Sequence, residues 1–354
     1  MRVGSRFAFS ARSIPLWVAA AGAAIAAVAL LSATFGQELP AAFVAVRDVP
    51  LPGDTSRFDY ESLDSTAHRL YIAHLGAGTL PVYDTAAGTI VGEVQDVPGV
   101  HGVLAVPDLG RVYASATGSN QVAVIDPQTL TVIATIPGGT YPDGLAYDPD
   151  VHKLYVSDET GGTDTVIDTS TDQVVATIPL GGEVGNTQFD PGSHQILVAV
   201  QTRNQIVSID PQTDQVTGRY DTPGCEHPHG VQVSPDRRLV FVACESNARL
   251  VVMDLQSMSV TETHDVGSVP DVLAFDGPRR VLFVAAENGP LTAFSETDTG
   301  LKPLAQRDVG PNAHSVAVDP DTGHIFLPLA NLGGQPVLRE VSLTNAGGGG
   351  DGDD

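Results

Sequence analysis

Between Phe58 and Leu343 a unit of about 42 residues recurs seven times. Aligned without gaps on the turn and strand that follow, the equivalent positions are Asp59, His101, Asp143, Gly185, His229, Asp271 and His314. They stand 42, 42, 42, 44, 42 and 43 residues apart. A period of about 40 to 50 residues holding several short strands marks a β-propeller, because one such unit cannot bury its own apolar faces and must stack on its neighbours. The repeat also carries equivalent side chains into a ring around one axis, and six of these seven are Asp or His.

Each unit reads as four strands. In the third repeat the runs are Tyr141–Pro149, Lys153–Ser157, Thr165–Asp168 and Gln173–Ile178, rich in Val, Ile, Tyr and Thr and separated by Asp, Pro, Gly, Ser and Thr. β-Branched runs with such punctuation are strand signals. The turns carry a mechanism: in Asp126-Pro-Gln-Thr129 and Asp210-Pro-Gln-Thr213 the Asp bonds backbone two residues on, while Pro presets φ for a type I turn. No sustained helical period follows residue 36, so the expected class is all-β. The seventh repeat lacks a fourth strand before Ala346-Gly-Gly-Gly-Gly350, and Phe43–Pro50 supplies one at the other end of the chain. The expectation is a seven-bladed β-propeller of four-stranded blades, closed by the N-terminal strand, which leaves no free sheet edge.

These motifs resemble the seven-bladed propellers of the YVTN repeat group, which includes the YncE-like and surface-layer repeat proteins. The resemblance rests on Leu154-Tyr-Val-Ser157, Val124-Ile-Asp126, Val175-Ala-Thr-Ile-Pro179 and Pro228-His-Gly-Val231. It implies a fold more than a function, since propellers host binding, scaffolding and catalysis alike. The only Trp is Trp17, so the repeats lack the tryptophan motifs of WD40 or quinoprotein-dehydrogenase blades.

Residues 1–36 read separately. Arg2, Arg6 and Arg12 precede an apolar run from Leu16 to Leu31, with Thr34 and Gly36 as small residues ahead of a cleavage point. This is either a signal peptide that is removed or a retained N-terminal anchor, and both imply export to the periplasm or beyond, with no other membrane span. Residues 37–345 form the propeller and 346–354 a disordered Gly/Asp tail. The formal charge of −24 becomes −27 without the first 36 residues, because these hold three Arg and no acid. Such a balance argues against a nucleic-acid partner, which needs clustered positive charge, and a monomer is expected.

Cys225 and Cys244 are the only cysteines. An exported chain permits a disulfide, and a hairpin centred near Asp236-Arg237 brings the two to one end of the fifth blade. A thiol contributed to a metal site, or two unpaired thiols, are the alternatives.

In a propeller the innermost strands line the channel, so the ring residues converge at one mouth. His101, His229 and His314 are the candidate metal ligands there, with Asp59, Asp143 and Asp271 as further ligands or a general base. Imidazole with carboxylate suits a divalent transition metal. Gly185 leaves a gap that Asn186 or Glu183 is placed to fill. Two residues before the ring lie Arg57, Tyr141, Glu183, His227 and Asn312, a second tier from which Tyr141, Glu183 and His227 are candidate ligand contacts. Glu159, Glu245 and Glu287 occupy one repeat position and are placed to rim the mouth with carboxylates.

Three functions follow. The first is an exported binding protein that takes a small molecule, a metal ion or a protein partner at the mouth. The second is a metal-dependent hydrolase or lyase, analogous to the gluconolactonase propellers; their Glu, Asn and Asp ligand pattern is not matched. The third is a structural surface repeat protein in which the ring is incidental, a hydrated channel mouth, and the outer blade faces do the binding. Catalytic elbows, Walker loops, dinucleotide fingerprints and haem motifs are all absent from the sequence.

Overall fold

The computed structural model describes residues 42–298 and 300–344. The expectations for residues 1–36 and 346–354 fall outside that range. Seven four-stranded antiparallel sheets make up the described chain, each built from consecutive strands except one. In blade 3, for example, Pro142–Asp148, Lys153–Asp158, Thr163–Asp168 and Gln173–Pro179 pair in sequence order. The exception is blade 7, where Ala42–Pro50 pairs antiparallel with Gln335–Thr344, from Ala42 opposite Thr344 to Pro50 opposite Val337. The N-terminal strand therefore closes the ring, and the sequence expectation for fold class holds throughout. Among the described residues, no helix is long and apolar enough to cross a membrane.

Turn chemistry works as the sequence implies. Asp126 Oδ1 accepts from the backbone N–H groups of Thr129 and Gln128 at 3.0 and 2.8 Å, and these bonds hold its pKa below the ordinary carboxylate range. Asp168, without the following Pro, accepts in the same way from Ser170 N–H at 2.8 Å. A side chain that satisfies backbone donors locally lets the hairpin close without distant help.

Packing between blades uses one large residue per repeat. Tyr71, Tyr113, Tyr155, Leu197, Phe241, Phe283 and Phe326 occupy equivalent places in the second strands, and all are buried. Each contributes about 2–3 kcal/mol by leaving water. Two inter-blade ion pairs repeat with the same period. Arg111 of blade 2 meets Asp172 of blade 3 at 2.6 Å, and Lys153 of blade 3 meets Asp214 of blade 4 at 2.8 Å. Tyr155 also donates its hydroxyl to Asp214 at 2.9 Å, so the second latch ties a core aromatic to the next blade.

Candidate functional site: the channel mouth

The glycine that follows the ring residue in blades 2, 3 and 5 has a steric cause. A Cβ on Gly102 would stand 2.1 Å from the Asp143 carbonyl oxygen, and one on Gly230 would stand 2.0 Å from that of Asp271. At Gly102 and Gly230 the neighbouring inner strand approaches so closely that only glycine fits after the ring residue. Ser115 reinforces the contact: its Oγ accepts from Gly102 N–H at 2.6 Å and donates to the Asp143 carbonyl at 2.7 Å. The ring side chains are thereby held shoulder to shoulder.

Three of them form a tight group. One ligand atom each from Asp59, Asp271 and His314 lies within 4.8 Å of the others, and all three residues are buried. They come from blades 1, 6 and 7, which are consecutive only because the ring closes. His314 donates through Nδ1 to the Asn312 carbonyl at 3.2 Å, which leaves Nε2 as a bare acceptor, buried and without a partner among the described residues. A ring nitrogen fixed by a backbone carbonyl, with the other free, is how metal-binding histidines are oriented. Burial holds the His314 pKa below the usual value, so the lone pair is present. Burial also drives the Asp59 pKa well up, helped by the negative charges of Asp271 and Asp143.

His229 and His101 share the mouth but not that group. Burial works against a charge on His229, but Asp271 and then Asp143 outweigh it and raise its pKa to about 10. Burial likewise works against Asp271's charge, and the imidazolium outweighs it, lowering its pKa to about 2. Tyr60 hydroxyl lies 3.2 Å from His229 Nε2, and the Gln201 amide lies 2.6 Å from Nδ1, so both ring nitrogens are engaged. His101 donates through Nδ1 to the Gly99 carbonyl at 2.9 Å and accepts at Nε2 from the Tyr141 hydroxyl at 3.0 Å. Its pKa is lowered by burial, so it is neutral. Asp143 is pushed up to about 7, mainly by burial, and its Oδ1 meets no donor.

A cavity of about 330 Å³ opens over the ring, lined by Asp59, Asp143, Asp271, His101 and His229 together with Arg57, Tyr60, Tyr141 and the rim acids Glu159, Glu245 and Glu287. Arg57 reaches across it, 2.6 Å from Glu287, 3.6 Å from Asp271 and 3.9 Å from Asp59. His227 stands on the rim with Nδ1 2.8 Å from Glu245. Glu183 is exposed and does not line the cavity.

Gly185 leaves its place in the ring open because a Cβ there would stand 2.8 Å from the His229 backbone. Asn186 turns to a smaller cavity lower in the channel. The blade-4 contribution to the mouth is instead Gln201, which sequence reasoning missed. The signal was available, since Gln201 occupies the repeat position of Glu159, Glu245 and Glu287. In blade 5 Cys225 and Cys244 are joined by a disulfide, with Cα atoms 5.1 Å apart. Both belong to the apolar cluster that supports the loop carrying His227.

Fold and site together define a seven-bladed β-propeller with a buried Asp/Asp/His cluster at one mouth. A hydrazine synthase chain from Kuenenia stuttgartiensis is similar in structure, with a TM-score of 0.70 at 16% identity over 83% of this chain and 97% of that one. At that identity the likeness shows the fold alone. No family model matches the sequence, and no curated protein matches it.

Proposed function

We propose that this is an exported binding protein whose channel mouth holds a divalent transition metal on Asp59, Asp271 and His314 and takes a small ligand in the adjoining cavity. The observation that carries the reading is the bare, buried Nε2 of His314 beside two carboxylates. Leaving such an acceptor unmet costs about 1–3 kcal/mol, which a bound cation recovers. Three protein ligands of this kind leave coordination positions free for a ligand from the cavity. The basic and apolar N-terminal segment supports export, the cavity over the ring supports a binding role, and the closed ring, which leaves no free sheet edge, supports a monomer.

A second reading, a metal-dependent hydrolase or lyase, draws on one observation: the neutral His101 hydrogen-bonded to Tyr141 at the cavity wall. A bound metal would supply Lewis acidity. The chain's own part would be His101 Nε2 as proton acceptor, with Tyr141 holding its position.

Elemental analysis of protein purified without chelators tests the proposal. About one transition metal per chain, lost on His314→Ala with the fold unchanged, is the expected result. No metal after incubation with zinc, copper, manganese and iron would overturn it and leave the ring as a hydrated channel.

A further inference from the structure

The three rim acids are not equivalent. Glu287 is neutralised by Arg57 at 2.6 Å and Glu245 faces His227 at 2.8 Å. Glu159 alone has no hydrogen bond or ion pair through its carboxylate among the described residues, although it lines the cavity and is half-buried. Beside it on the same blade stands Asp143, buried, with Oδ1 lacking any donor. The third blade-3 member is Tyr141, whose backbone carbonyl accepts from Glu159 N–H at 2.8 Å and which is 36% exposed on the rim. Asp143 has His229 Nε2 4.0 Å from Oδ2, which leaves Oδ1 unmet, and Glu159 has no cation partner among the described residues. An aromatic ring beside two such carboxylates is the arrangement that recognises an organic cation: charge-assisted hydrogen bonds from an ammonium, with ring contact for the attached carbon.

We infer that the blade-3 wall of the mouth, Tyr141, Asp143 and Glu159, is a subsite for the primary ammonium group of an organic amine. This rests on the reading of the cavity as the ligand site, and it names the class of ligand. The metal group lies on blades 6, 7 and 1 and the ammonium subsite on blade 3, so the two ends of a bound molecule would meet different chemistry. The cavity, at about 330 Å³, has the volume of roughly ten waters, enough for a short-chain amine and too little for a folded partner.

Charge around the mouth is asymmetric in the same sense. At the rim position, blades 3 to 6 carry Glu159, Gln201, Glu245 and Glu287, whereas blades 7, 1 and 2 carry Ala330, Leu75 and Thr117. A cationic group entering the cavity is drawn to the blade 3–6 side, and there Glu159 is the acid without a resident partner.

The test is an NMR titration of the full chain with butylammonium chloride and with 1-butanol, its neutral counterpart, in 0.3 M NaCl, where the general field of an acidic protein is screened within about 6 Å. The amine is expected to bind at least about tenfold more tightly than the alcohol. Glu159→Gln should erase that preference while leaving alcohol binding and thermal stability unchanged, and Tyr141→Leu should weaken the amine about fivefold. Equal binding of amine and alcohol, or an amine affinity unchanged by Glu159→Gln, would overturn the inference. Metal content is measured on the same samples. Amine discrimination in metal-free protein would retain the subsite and reject the metal centre; retained metal without discrimination would do the reverse.

Discussion

His229 Nε2 stands 3.2 Å from Asp271 Oδ1, so one carboxylate of the candidate metal group already faces a positive charge. The same carboxylate has Arg57 at 3.6 Å on its other side. Asp271 is therefore contested ground: any cation joining Asp59 and His314 shares it with an imidazolium and a guanidinium.

That rivalry makes His229→Gln informative. If His229 competes with the metal, removing its charge tightens zinc binding by about tenfold, the order expected for one nearby unit charge in a partly solvated site. If His229 were a ligand, the same change would weaken it. Competition titration against a chromophoric chelator separates the two signs.

Asp164 should make stability fall with rising pH. It is buried, its Oδ1 meets no donor, and burial together with the neighbouring Asp158 charge pushes its pKa up to about 8. Above the unfolded value near 4 the unfolded chain releases this proton while the folded chain retains it. Stability is therefore lost progressively up to about pH 8. Asp164→Asn should flatten the profile over that window and raise the melting temperature at pH 8. A profile identical to the parent would remove Asp164 as its source.

Gly185→Ala tests whether the open place in the ring is enforced by packing. The added methyl meets the His229 backbone at 2.8 Å, and overpacking of this kind costs about 1–3 kcal/mol. The denaturation midpoint should fall, and the His229 ring resonances should shift with it.

The 19-residue separation of Cys225 and Cys244 predicts about 3 kcal/mol of stabilisation from loop closure. Replacing both by Ser should lower the urea midpoint accordingly and loosen the loop that presents His227, which hydrogen exchange at residues 225–229 would report. Unchanged exchange there would confine the bridge's effect to the strands.

The blades were legible in the sequence because their signals are local: Asp126 and Asp210 write their own turns, and the buried series from Tyr71 to Phe326 recurs once per unit. The ring was legible for the same reason. Which ring members unite was not. Asp59 and Asp271 become close through closure of blade 7, a contact between the two ends of the chain. His101 and His229 are diverted by Tyr141, Tyr60 and Gln201; the repeat places Tyr141 and Gln201 near the mouth, but no spacing says which imidazole each will meet. Arg57 is similar: its sequence neighbours say nothing of Glu287, 230 residues away, which it meets only once the ring has closed.

The strand that closes blade 7 is the first of the propeller to be synthesised and the last to find its place. Until Gln335–Thr344 has been made, Ala42–Pro50 has no edge to join. Blades 1 to 6 can form hairpin by hairpin in the meantime, but Asp59, Asp271 and His314 come together only at the final step. Assembly of the site is thereby a report that the whole chain has arrived, and a chain stopped short of Val337 would carry an open strand at one end and half a site at the other.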